Sequence, residues 1–179
     1  MPVKTEYLET LFGRAPMLFY IAIFSIALIC VAISFKGNVI KDGVKTSSIY
    51  LMLLYAVVVI FLTVVFRHDG QDLGIKYTPF WSYARMKSIQ SRILSENIMN
   101  VVAFLPIGFL LKIAYNKLKF WHAAIVGCCF SVFIELLQLV FKRGQCEIDD
   151  VIHNTLGCVM GFAMAMGIST LYNHLRWRN

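Results

Sequence analysis

The sequence predicts an all-α protein, a polytopic membrane helical bundle of about five transmembrane helices. Three observations predict it. Hydrophobic residues make up 59% of the 179 positions and charged residues 15%, against about 45–50% and about 25% in soluble domains. The apolar residues are gathered into runs close to the ~20 helical residues that cross a bilayer. The 17 Lys and Arg residues, which set a formal net charge of +7, lie between those runs, where membrane proteins keep them. A basic balance also suits nucleic-acid binding, but no zinc-finger, RNP or helix-turn-helix pattern accompanies it. The expected partner is therefore the lipid bilayer, with no nucleic acid.

Met17 to Phe35 is the first apolar run. It is too long for a typical signal-peptide core and no A-x-A site follows, so it reads as a retained first span. Lys36 to Ser48 reads as a loop, with Lys36, Lys41 and Lys45 and the turn residues Gly37 and Gly43. Ile49 to Phe66 is the second span, closed by Arg67. Tyr77 to Tyr83 is aromatic and suits the interface between bilayer and water. Ser82 to Glu96 fits a short interfacial helix or a solvated connector. Asn97 to Leu111 is the third span, with a kink expected at Pro106, which removes one helical hydrogen bond. A basic loop from Lys112 to Lys119 leads to the fourth span, Phe120 to Phe141, and Val151 to Tyr172 is the fifth. Of five cysteines, four lie in apolar runs and read as small apolar filler. Cys146, in the turn before the last span, is the one to test for reactivity.

Phe133 to Gly161 holds the most unusual chemistry. Glu135 and Gln138 lie inside an apolar run, Arg143 follows it, and Asp149, Asp150 and Asn154 open the next. A charged side chain at the centre of a spanning helix costs about 2.5–3.5 kcal/mol on insertion scales, so Glu135 must be protonated, paired or wetted. Alternating crossings put Arg67, Asn100, Gln138, Arg143 and Asp150 near one membrane face. At 100° per residue, Gly127, Ser131, Glu135, Gln138 and Lys142 form one stripe. Asp150, Asn154, Gly157 and Gly161 form another, and Asn97, Asn100, Phe104 and Gly108 a third. Gly157 and Gly161 make a GxxxG seam, which permits close helix approach. Three helices packed around a polar pocket is the economical arrangement. Plainer readings stand beside it. Glu135 and Gln138 suit helix–helix glue, Asp149 and Asp150 suit a helix N-terminus, and His153 suits either a packed or an interfacial ring. Glu135, Glu147, Asp150 and His153 are oxygen and nitrogen donors, but no metal motif fixes them as ligands. Neither a metal nor a cofactor is expected.

These same residues carry a resemblance. Asn100, Phe104, Pro106 and Gly108, then Glu135 and Gln138, then Arg143, Gly144, Ile148, Asp149, Asp150, Asn154, Thr155, Gly157 and Gly161 are similar to the pattern of the VanZ-like family. These are small membrane proteins of mostly Gram-positive bacteria. Arg67 and Pro79-Phe80 resemble the arginine and the proline-aromatic pair usual after the second helix. Glu147 departs from the pattern, which has aspartate there. The resemblance covers about 67–161. It implies one membrane domain, with two N-terminal helices over 1–66 and the family core over 67–179. It also implies a link to low-level resistance to teicoplanin, a lipid-tailed glycopeptide antibiotic, without supplying a mechanism.

Three mechanisms are open to such a chain. A polar pocket with ligand-binding Arg67, Asn100, Gln138, Arg143, Asp149 and Asn154 suits an anionic lipid headgroup, a lipid-linked cell-wall precursor or a lipoglycopeptide, since arginine pairs well with phosphate. An intramembrane enzyme would use Glu135 or Asp150 as general acid or base. A small transporter would use Glu135 as a proton site, although no pair of matching halves is present. The cationic count is nine on the motif face and eight on the other, accounting for all 17, so it does not orient the chain. Lysine density in the two short loops of the second face favours that face, with the C-terminus, as cytoplasmic and the motif face as extracellular.

Overall fold

The computed structural model describes residues 41–65, 75–76, 78–79, 90–143 and 146–176. Helix α1 (Lys41–Ile60) continues into a π-helical turn, Phe61–Val65. A short strand β1 (Ile75–Lys76) precedes helix α2 (Gln90–Ala114). Helix α3 (Phe120–Val140), strand β2 (Cys146–Glu147) and helix α4 (Ile148–Arg176) complete the order. Among the described residues, four segments are long and apolar enough to cross a membrane: Gly43–Val64, Glu96–Ala114, Phe120–Val140 and Ile148–Leu175. The protein is a multi-pass, all-α membrane bundle. The expected span Met17–Phe35, Arg67 and most of the aromatic segment Tyr77–Tyr83 lie outside the described residues.

Three helices extend past their apolar runs, whereas α3 (Phe120–Val140) matches its run to within one residue. The loop expected over 36–48 is helical from Lys41. Ser48 there is buried and donates its hydroxyl to the Val44 carbonyl at 2.8 Å. Gln90 to Glu96 is continuous with α2 rather than a separate interfacial helix. Nothing in that stretch breaks a helix, since it contains neither Gly nor Pro. An apolar run marks the part of a helix that meets hydrocarbon, and a helix extends past it wherever the polar interface can solvate its side chains. The last helix starts at Ile148, not Val151, so Asp149 and Asp150 occupy its first turn. Carboxylates are favoured there by the unpaired N–H groups and the helix dipole. Pro106 is buried within α2, which is helical on both sides of it.

The centre of the bundle is the contact between α2 and α4, the most extensive between any two of the described elements. A Cβ on Gly157 would run into the Val101 carbonyl, one on Gly161 into the Leu105 carbonyl, and one on Gly108 into the Cys158 carbonyl. The equal four-residue steps on both helices make them parallel. Their backbones touch, as small-residue seams allow in a membrane, where dispersion rather than hydrophobic exclusion holds helices together. Helix α3 closes on the same place, with Gly127 against Cys158 and Thr155 of α4. Helix α1 packs on α2, where Tyr55 donates its hydroxyl to the Ala103 carbonyl at 3.0 Å. Phe104, Phe109, Leu110, Ile134 and Phe162 fill the interior. Leu53, Val57, Leu136, Val140, Leu156 and Met160 face outward, which suits contact with lipid tails.

The two ends of the bundle are built differently. At one end β1 and β2 pair in parallel, Ile75 with Cys146 and Lys76 with Glu147. This ties the connection after α1 to the turn before α4. At the other end lie the α2–α3 turn and the start of α1, where Lys45 sits over the Tyr115 ring at 5.2 Å. His122 there accepts the Lys119 N–H at 3.0 Å, which caps the start of α3.

Candidate functional site

The end closed by β1 and β2 collects the polar residues singled out in the sequence. Ser131, Glu135 and Gln138 of α3 are all buried, as the stripe reading expects, while Lys142 is exposed beyond the helix end. On α4, Asn154, Gly157 and Gly161 are buried and Asp150 is half-buried. On α2, Asn97, Phe104 and Gly108 are buried and Asn100 is half-buried.

These side chains are joined pairwise across the helices. Asn100 donates its Nδ2 to Asp150 Oδ1 at 2.7 Å, linking α2 to α4. Asn154 donates its Nδ2 to Ser131 Oγ at 2.8 Å, linking α4 to α3. Gln138 donates its Nε2 to the Thr63 carbonyl at 3.1 Å, linking α3 to the π-helical turn after α1. Glu135, 2% exposed, accepts the Glu147 backbone N–H on Oε2 at 3.0 Å. A main-chain donor from the strand therefore reaches down to a carboxylate that the bilayer would otherwise leave unsolvated. Asp149 is more deeply buried than Asp150, at 1% exposure. Its carbonyl lies 2.6 Å from His153 Nδ1. His153 is itself buried, so it packs inside rather than facing the interface.

Arg143 is placed by the end of α3. Lys142 has φ 55°, a left-handed conformation. Its N–H bonds to the Leu139 carbonyl at 3.2 Å, and the Arg143 N–H bonds to the Gln138 carbonyl at 2.8 Å. This pair of bonds is a Schellman cap, which usually employs glycine at the left-handed position. The chain turns sharply there, so Arg143 lines a groove of about 330 Å³ with Val57, Ile60, Phe61, Val64, Leu137 and Phe141.

Cys146 stands among carboxylates. Burial first, and then the charges of Glu135, Asp150 and Glu147, push its thiol above the ordinary value. The thiolate is the reactive form, so this environment suppresses rather than creates a nucleophile. Among the described residues no three His, Cys, Asp or Glu side chains are grouped as a metal site requires.

The polar pairs resemble a family pattern, and the match extends beyond them. The sequence pattern of the VanZ/LLP1 family matches residues 47–171. The chain belongs to this family. Protein VanZ of Enterococcus faecium is 28% identical over 123 residues, covering 64% of this chain and 70% of that protein. No solved structure matches the chain. The VanZ/LLP1 region takes in most of α1, all of α2 and α3, and most of α4.

Sequence reasoning did not find every contributor. Tyr55 and Thr63 pass as members of an apolar run, yet one bonds the α2 backbone and the other offers its carbonyl to Gln138. A phenol inside a spanning run was the available signal for Tyr55, whereas the Thr63 contribution is a main-chain carbonyl that its side chain does not announce. The Glu147 N–H carries no side-chain signal at all.

Proposed function

We propose that this VanZ/LLP1 protein lowers susceptibility to teicoplanin-type lipoglycopeptides by binding a lipid or lipid-linked envelope component at the polar end of its bundle. The supporting observation is the convergence at that end of Asn100, Asp150, Glu135, Gln138 and Arg143, from three helices and a cap. An anionic headgroup suits Arg143, since guanidinium and phosphate form charge-assisted hydrogen bonds. The raised Cys146 thiol disfavours a covalent enzyme mechanism through that residue. The motif end faces outward on this reading, where a lipid-tailed drug meets the membrane. The concentration of Lys112, Lys117 and Lys119 at the opposite end favours that orientation.

The test is susceptibility to teicoplanin, with vancomycin as the control lacking a lipid tail. It uses Glu135→Gln, Arg143→Ala and Asp150→Asn proteins at matched membrane abundance. All three are expected to lose protection against teicoplanin while the response to vancomycin stays unchanged. Full protection by all three would reduce the polar residues to helix glue and remove the proposal.

A further inference from the structure

Gln138 does two things at once. Its side chain holds the Thr63 carbonyl of the π-helical turn, and its own carbonyl receives the Arg143 N–H in the α3 cap. The π-helical turn carries Phe61 and Val64, and the cap carries Phe141 and Arg143. One buried residue therefore sets the separation and registry of both walls of the groove described above. π-Helical turns interrupt the regular ladder and are frequent at functional sites.

The groove has the chemistry of a lipid seat. Six of its seven lining residues are apolar, and Arg143 is the seventh. Val57, Phe61 and Phe141 are more than half exposed, so in a bilayer the groove opens sideways to acyl chains. Arg143 lies three residues past the α3 span that ends at Val140, a position that suits contact with lipid phosphates. Its volume of about 330 Å³ falls at the lower end of the roughly 300–1,000 Å³ of small-ligand sites.

We infer that this groove is a seat for one anionic phospholipid, its acyl chain along Val57, Phe61, Val64 and Phe141 and its phosphate on Arg143, with Gln138 as the positioning residue. The inference rests on the reading that the polar end binds lipid, and assigns the lipid class and the place. A neutral lipid supplies the chain but no net negative charge for the guanidinium. Free phosphate supplies the charge but no chain.

The test uses the full chain in detergent with a Phe141→Trp reporter, corrected for the signal of the parent protein's own tryptophans. Quenching is measured with phosphatidylglycerol and with phosphatidylcholine, both brominated in the acyl chain. Phosphatidylglycerol is expected to be preferred by about fivefold, the worth of one cation against an anionic lipid. The preference should vanish in Arg143→Gln, survive in Arg143→Lys and in Lys142→Gln, and be unaffected by inorganic phosphate. Gln138→Leu should weaken quenching by both lipids while Arg143→Gln weakens only the anionic one. Equal quenching by the two lipids, or loss of preference in Lys142→Gln as much as in Arg143→Gln, overturns the assignment. The assay contains no antibiotic, so a failure of the resistance reading leaves its result standing, and a failure here leaves the susceptibility test standing.

Discussion

Two contacts in this bundle solve the same problem in opposite ways. Helices α2 and α4 meet through Gly108, Gly157 and Gly161, so closely that a single added Cβ would strike backbone carbonyls. The end of α1 meets α3 through Gln138 and Thr63, a side-chain amide bridging to a main-chain carbonyl. The first contact is backbone on backbone and excludes any occupant. The second is held by a long polar side chain, and beside it lies the apolar groove that ends at Arg143. In lipid, helices gain little from burying apolar surface against each other, so the choice between small residues and polar bridges decides how closely they pack. A membrane protein can thus make a rigid centre and a yielding edge from the same few helices.

The comparison breaks most visibly at the glycine seam. Gly157→Leu or Gly161→Leu must force α4 away from α2, at or beyond the roughly 1–3 kcal/mol of ordinary overpacking. Both are expected to abolish the single symmetric peak in detergent size-exclusion and the cooperative melt. Near-normal melting would mean that the two backbones are not in contact. The polar bridges should cost less. Gln138→Leu, and Asn154→Ala or Ser131→Ala, should each lower the midpoint of thermal unfolding moderately. A Ser131–Asn154 double-mutant cycle should give coupling near 0.6 and at most about 1.7 kcal/mol, the range of interhelical hydrogen bonds in membranes.

Chemistry at the motif end offers a finer probe. Because burial and three carboxylates raise the Cys146 thiol, less thiolate is present at any given pH than in a free thiol. Its maleimide labelling at pH 8 should be slower than that of a model thiol and should rise only at more alkaline pH. Glu147→Gln removes one of the raising charges, so it should move that profile to lower pH. An alkylation profile matching free cysteine would place Cys146 away from the carboxylates.

The smallest expected effect has the opposite sign. Gly167 lies on the same helix as Gly157, but a Cβ there would meet nothing within 4 Å. Gly167→Ala should stabilise α4 by up to about 1 kcal/mol, the helix-propensity difference between the two residues. A higher melting temperature for Gly167→Ala beside a lower one for Gly157→Ala would show that position, rather than residue type, makes the seam.

The sequence alone determined that this chain is a helical membrane protein of the VanZ-like kind, because hydropathy, loop charge and motif spacing are properties of the linear chain. Periodicity also determined which faces turn inward: Ser131, Glu135 and Gln138 fall on one stripe at 100° per residue and all three are buried. Arg67 and the span Met17–Phe35 stay at the level of sequence, being outside the described residues. Tertiary structure decided the partners. The spacing of Glu135 does not reveal that its carboxylate receives a main-chain N–H of Glu147, because that donor is the same at every residue. It decided that Asp150 turns to Asn100 while Asn154 turns to Ser131, although both acidic and amide residues share one helical stripe. Tertiary structure also decided where the helices end, since tertiary contacts and interfacial solvation carry a helix past its apolar run. The groove beside Arg143 arises from a π-helical turn and a left-handed lysine. Both are small departures from regular geometry that packing stabilises and that no hydropathy pattern encodes.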